Sequence, residues 1–301
     1  MNTTPLLEEI SRRPLCCDGA MGTQLFARGL AAGQCGMLWN VNRPDAVAEI
    51  QQAYRNAGCH LLTTNSFGGT CFALEMHHLT DRVAELNRAA AEVARLAAGP
   101  TGWVLGDVGP FGGFLEPVGE TTDEELREAF QAQISALAAG GVDAILLETM
   151  SDPAEVRVGM EAVRICSANL PIIATYAFQK TGVDEFRTMM GVTAAEAVRR
   201  SLADGADIVG ANCGTALSLE DYVKLAEQLV AAAGSSPVIV QPNAGSPKME
   251  NGRIHYDATP AEMAANATRL LAAGVRIVGG CCGTTPSHLA SVSRVVRAKS
   301  D

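Results

Sequence analysis

Four segments of the chain repeat one pattern: a small residue with glycine, a short apolar run, then a polar residue or thiol. They are AGCHLLTTN ending at Asn65, GGVDAILLE ending at Glu148, DGADIVGAN ending at Asn212 and AGVRIVGGC ending at Cys281. The polar residue follows Gly58, Gly141, Gly205 and Gly274 by seven positions each time. Glycine at that place suits the position just past a helix end, where φ turns positive. The short β-rich run predicts a parallel strand buried on both faces, with the polar residue at its C-terminal end. LCCDG (15–19), WVLGDVG (103–109), PIIATYAF (171–178) and PVIVQPN (237–243) are four further runs of the same kind. Amphipathic stretches such as DAVAEIQQAYRN, TDEELREAFQAQISALAA and TPAEMAANATRLLAA lie between them, eight in all. Several open on Ser, Thr or Asp followed by Pro or an acid, as helix N-termini do. Eight strands alternating with eight helices predict an α/β protein, a single-domain (β/α)8 TIM barrel over residues 1–301 with 1–14 as an N-terminal extension. A doubly wound sheet is the alternative, but it gives no reason for so even a repeat.

A length of 301 residues suits one such barrel at roughly 250 residues plus insertions. At 48% hydrophobic and 19% charged the chain can bury a large core, and 5% aromatic content favours close helix–strand packing over a β-sandwich. The formal charge of −10, with no basic block, argues against nucleic acid or an anionic membrane surface as partner. Residues 1–14 carry no long apolar stretch, and no segment reaches the ~18–20 apolar residues of a membrane span. The expectation is a soluble, cytoplasmic protein. Nine cysteines in a chain of this size point to buried thiols, metal ligands or catalytic thiols rather than disulfide staples.

Active sites of (β/α)8 barrels lie at the C-terminal face. The polar strand ends there read Asp18, Asn65, Asp107, Glu148, Cys213, Asn243, Cys281 and Cys282, with no lysine or arginine among them. Three thiols from neighbouring elements suit zinc with one coordination position open. Cys281 and Cys282 can reach one ion only if the backbone bends, and Gly279, Gly280 and Gly283 surround them. Buried thiols or a strained vicinal disulfide remain alternatives on spacing alone. Cys16, Cys17, Cys59 and Cys166 read as packing residues, and the five histidines show no ligand spacing. DGAMGT (18–23) reads either as a tight turn or as an anion cradle of the Gly19, Ala20 and Met21 amides. Asp18 and Glu148 could together hold an ammonium group.

DGAMGT (18–23), GANCGT (210–215) and GGCCGTTP (279–286) together resemble the homocysteine S-methyltransferase family, over nearly the whole chain. The likeness is strongest to the N-terminal module of cobalamin-dependent methionine synthase. It implies one Zn2+ per chain on Cys213, Cys281 and Cys282. It also implies homocysteine contacts at Asp18, Gly19, Ala20, Glu148 and Asn65, with Asn243 near the metal. QPNAGSP (241–247) and TTNSFGGT (63–70) suit the cobalamin-dependent branch. Gly68 stands where the betaine-using branch has tyrosine. The implied activity is zinc-dependent methyl transfer to the thiol of L-homocysteine, giving methionine, with the substrate thiolate needing no separate general base. A methylcorrinoid on a separate protein, in trans, is the expected donor. Alternatives are a small donor such as S-methylmethionine, a selenol or other thiol acceptor, and a non-enzymatic zinc-binding regulatory barrel.

Overall fold

The computed structural model describes residues 5–250 and 253–299. Eight parallel strands form the ring: β1 (Leu15–Cys16), β2 (Leu61–Thr63), β3 (Trp103–Val108), β4 (Ala144–Met150), β5 (Ile172–Tyr176), β6 (Ile208–Asn212), β7 (Val238–Gln241) and β8 (Ile277–Val278). Each pairs with its neighbours in sequence, and β8 pairs back to β1. A bridge between Cys17 and Leu61 closes β1 onto β2. This is the expected (β/α)8 barrel in a single domain.

Alternation along the strands separates two apolar layers. Leu15, Leu61, Trp103, Leu105, Ala144, Leu146, Ile173, Ile208, Ile239 and Ile277 fill the barrel interior. Their strand neighbours, among them Val104, Ile145 and Leu147, face the helical shell. Strands buried on both sides therefore read as unbroken apolar runs. The N-terminal extension forms a helix, Leu6–Arg12, whose Leu6 and Ile10 join the interior cluster. Arg276, just before β8, donates to the Ile10 carbonyl, so this helix stops the barrel's N-terminal end.

All eight expected helices form, at Pro44–Asn56, Val83–Ala98, Asp123–Ala139, Pro153–Cys166, Ala194–Ala203, Leu219–Ala233, Pro260–Ala272 and Pro286–Ala298. Thr122, Ser218 and Thr259 begin theirs with capping boxes. Gly58, Gly141, Gly205 and Gly274 all have positive φ. After three of them the next amide returns to a carbonyl in the last helical turn: Cys59 to Tyr54, Ala206 to Ser201 and Val275 to Leu270. Two hairpins, Gln179–Gly182 with Glu185–Arg187 and Lys248–Glu250 with Arg253–His255, rise from the loops after β5 and β7. No helix among the described residues is long and apolar enough to cross a membrane.

Candidate functional site

The sulfurs of Cys213, Cys281 and Cys282 all lie within 4.8 Å of one another at the C-terminal mouth. Cys213 follows β6 with φ 52°, a conformation few non-glycine residues adopt. Two bonds hold it there: its amide donates to the Gln241 carbonyl at 3.3 Å, and the buried Tyr222 hydroxyl donates to its own carbonyl. Cys281 and Cys282 occupy a β-turn closed by the Thr284 amide on the Cys281 carbonyl at 3.1 Å. Gly283 has φ 78° in that turn, and a Cβ there would meet the Tyr256 ring at 2.2 Å. The turn supplies the bend that lets adjacent side chains share one side. The sulfurs are separate, 3.9 Å for Cys213 to Cys282 and 4.0 Å for Cys281 to Cys282, so no vicinal disulfide is present.

Hydrogen bonds from Cys213, Cys281 and the Tyr256 hydroxyl hold the Cys282 thiol well below its ordinary pKa. The bonds Cys281 makes to Cys213 and Cys282 push its own thiol up.

Glu148, at the end of β4, is half-buried in the mouth and takes a 2.9 Å hydrogen bond from Asn212 Nδ2. Burial pushes its pKa up, and a hydrogen bond from Asp107 opposes that rise. Asp107 is 3% exposed, and burial together with the charge of Glu148 pushes its pKa well above the ordinary carboxylate value. Its Oδ1 has no partner among the described residues. The two acids thus interact electrostatically at the mouth.

Asp18 is buried, and both oxygens are engaged by Thr63, from the amide at 2.7 Å and the hydroxyl at 2.7 Å. Burial raises its pKa to about 7. These two bonds tie β1 to β2. In the turn at Gly19 and Ala20, which the sequence leaves readable as a tight turn or an anion cradle, the Ala20 amide donates to Thr284 Oγ1 at 3.0 Å. Thr284 in turn donates to the Cys281 carbonyl at 2.7 Å, joining DGAMGT to GGCCGT. A Cβ on Gly19 would lie 2.5 Å from that hydroxyl, so glycine allows the two motifs to touch. The Asn65 side chain is held by two bonds to the segment before the second strand. Its Nδ2 donates to the Gly36 carbonyl at 3.0 Å and to Asn40 Oδ1 at 2.9 Å, which anchors the segment after the first loop. Asn243 follows β7, with Nδ2 3.4 Å from the carbonyl of Gly214, the residue after Cys213, and a buried Oδ1 that has no partner among the described residues. The next amide, of Ala244, donates to the Cys282 carbonyl at 2.9 Å.

Cys16, Cys17 and Cys59 are fully buried, as packing residues are, whereas Cys166 is half-buried and bonds the Ser135 hydroxyl at 3.1 Å. Tyr222, Tyr256 and Thr284, which shape the thiol centre, were not legible in the sequence. Asn212 and Asp107 did carry a signal, since both end apolar runs.

Fold and site together define a (β/α)8 barrel that presents a metal-competent trio of thiols beside paired carboxyls. The model of the homocysteine S-methyltransferase family matches residues 15–296, and the chain belongs to this family of methyltransferase enzymes. It is 32% identical to methionine synthase of Mycobacterium tuberculosis and 31% identical to that of Mycobacterium leprae, over 97% and 99% of this chain. The chain spans 25% and 26% of those relatives' lengths, about a quarter. The metallated form of the homocysteine methyltransferase MmuM from Escherichia coli shares the fold, with a TM-score of 0.77, 23% identity and coverage of 97% of this chain and 99% of that one.

Proposed function

We propose that this barrel transfers a methyl group to the thiol of L-homocysteine, giving methionine, with zinc held by Cys213, Cys281 and Cys282. The observation that carries this reading is the meeting of three sulfurs with the Glu148 carboxylate through one shared neighbour, Asn212. The donor set fits the metal. Sulfurs around a tetrahedral zinc at ~2.3 Å stand roughly 3.8 Å apart, close to the spacings found here. Three thiolates leave a fourth position open for a substrate thiol. The chemistry zinc supplies when bound is a substrate thiol kept deprotonated at neutral pH while remaining nucleophilic.

The chain's own residues do the rest. Glu148 receives the substrate ammonium, beside the buried Asp107 carboxyl, whose pKa burial and the Glu148 charge push up. Asp18, just after β1, adds a second carboxyl to the mouth through lone pairs that Thr63 leaves free. A carboxylate held near Gly19 and Ala20 would use amides other than that of Ala20. The bond of Asn243 to the Gly214 carbonyl, next to Cys213, supports assigning it to the metal's surroundings. These anchors align the sulfur for in-line attack.

For the donor we infer a methylated corrinoid, presented by a module or protein outside these residues. The Asn243 segment supports this, as does the rim. Phe26, Phe67, Phe114, Val118, Val183 and Met249 are exposed apolar side chains in the segments that follow strand C-termini, Phe26 on the short helix Gly22–Ala27 and Met249 on a hairpin strand, a surface suited to a large docked body. A second reading, a small sulfonium donor, is favoured by a cavity of about 350 Å³ beside Thr149 and Thr215. It is lined by Phe111, Phe114 and Met189 and by the acids Asp152 and Glu155. Titrating L-homocysteine into zinc-loaded and zinc-stripped protein tests the core of the proposal. Saturable binding that needs zinc is expected. Full zinc binding with no response to homocysteine would instead favour a regulatory barrel.

A further inference from the structure

Asn212 ends β6 and is 1% exposed. Its side chain spans three strands and the thiol turn. Oδ1 accepts the Thr149 amide at 2.9 Å and the Thr175 hydroxyl at 2.8 Å. Nδ2 donates to Glu148 Oε2 at 2.9 Å and to Thr149 Oγ1 at 2.7 Å, and lies 3.9 Å from Cys281 Sγ.

Two features of β4 explain what this network does. Successive residues of a regular strand point to opposite faces, yet Glu148 and Thr149 both bring oxygens to the same Nδ2. They can do so because Thr149 has φ 61° and the pairing of β4 with β5 slips between Leu147 and Met150. A β-branched residue in the left-handed region is a strained outlier that persists only where its surroundings hold it. Both the backbone amide and the hydroxyl of Thr149 are held by the one amide group of Asn212. That clamp turns the Glu148 carboxylate into the mouth, with Oε2 engaged and Oε1 free of it.

We infer that Asn212 is a positioning residue for substrate recognition, which through the strained Thr149 bulge aims Glu148 at the ligand's ammonium group and ties that anchor to the thiol cluster. This rests on the homocysteine reading above. A side chain serving only to hold the barrel together would affect every ligand of the mouth alike. A positioning residue affects those with an amino group.

The test uses Asn212→Asp, which keeps an oxygen for Thr149 and Thr175 but loses both N–H donors and sets a carboxylate against Glu148. Zinc-loaded wild type and variant are titrated with L-homocysteine and with 4-mercaptobutyrate, the same thiol acid without the amino group. The expected result is a rise of about tenfold or more in the homocysteine dissociation constant, as for loss of a charged-group hydrogen bond, with less than about a twofold change for 4-mercaptobutyrate. Zinc should stay at about one per chain. Equal losses for both ligands, release of zinc, or unchanged homocysteine binding would each overturn the inference. Wild type that binds 4-mercaptobutyrate but not homocysteine any better would sink the homocysteine reading itself, a result separable from the others. If Asn212→Asp does not fold, the double variant Asn212→Asp with Thr149→Gly replaces it. Glycine takes the left-handed backbone unaided, and the same ligand split is expected.

Discussion

Cys282 is the second of two adjacent cysteines, and only the turn closed by Thr284 lets its sulfur face Cys213. Substituting it should remove a ligand and a thiolate at once. Cys282→Ala is expected to lower bound zinc from about one per chain to a small fraction, read by metal analysis after gel filtration. Zinc retention in the wild type should also weaken on acidification, because thiolates must lose protons to bind. Glu148 tests the other half of the site. Glu148→Gln keeps the bond from Asn212 in shape but removes the charge that an ammonium group requires. A loss of roughly 1.5–3 kcal/mol corresponds to about a tenfold or greater rise in the homocysteine dissociation constant, with zinc content unchanged. Titration calorimetry and metal analysis on one preparation check both, and unchanged affinity would place the amino group elsewhere. Both residues were legible from the repeated apolar runs, Glu148 ending one and Cys282 following directly on another. Asn65 ended one too, but its side chain turned to Gly36 and Asn40, a choice set by the segment packed above it.

The helix Pro153–Cys166 shows how an element carries a tuned charge without touching the thiols. Glu155 lies in its first turn, 4% exposed, and accepts the Phe111 amide at 2.8 Å, holding the loop after β3. Burial raises its pKa to about 7. Because the folded value exceeds the unfolded one, the folded state binds the proton more tightly, and stability falls as pH rises from about 4 to about 7. Glu155→Gln mimics the protonated form and lacks this loss. The variant should therefore gain on the wild type as pH rises from 5 to 8, by on the order of 2 kcal/mol, in denaturant melts at each pH. A difference that stays flat with pH would rule out the buried carboxylate as its source. At this scale the sequence was most informative: amphipathic stretches between the apolar runs marked all eight helices, and capping residues and four post-helix glycines marked several of their ends. The helix Cys71–Glu75 and the two hairpins were not foreseen. They are short, and their residues show neither a 3.6 nor a 2.0 period long enough to read.

For the molecule as a whole, the open matter is what approaches the mouth. Zinc-loaded protein with L-homocysteine is expected to form methionine from a methylated corrinoid and not from S-methylmethionine, with methionine followed by chromatography. Turnover in the opposite pattern would move the donor to the small acidic cavity beside Thr149 and leave the thiol chemistry intact. The repeat of glycine, apolar run and polar strand end determined the barrel, its direction, and therefore which residues stand at the mouth, because a closed parallel ring sends every strand's C-terminus to one face. The three thiols were readable for the same reason, and their motifs carried the family. Which polar ends face one another was decided only by the tertiary structure. The pairing of Asp107 with Glu148, the reach of Asn212 across β4 and β5, and the contacts of Tyr222 and Tyr256 with the thiol turns join residues many positions apart. Such contacts depend on side-chain rotamers and on backbone bends at Thr149, Cys213 and Gly283, and a one-dimensional pattern of polar and apolar positions specifies neither.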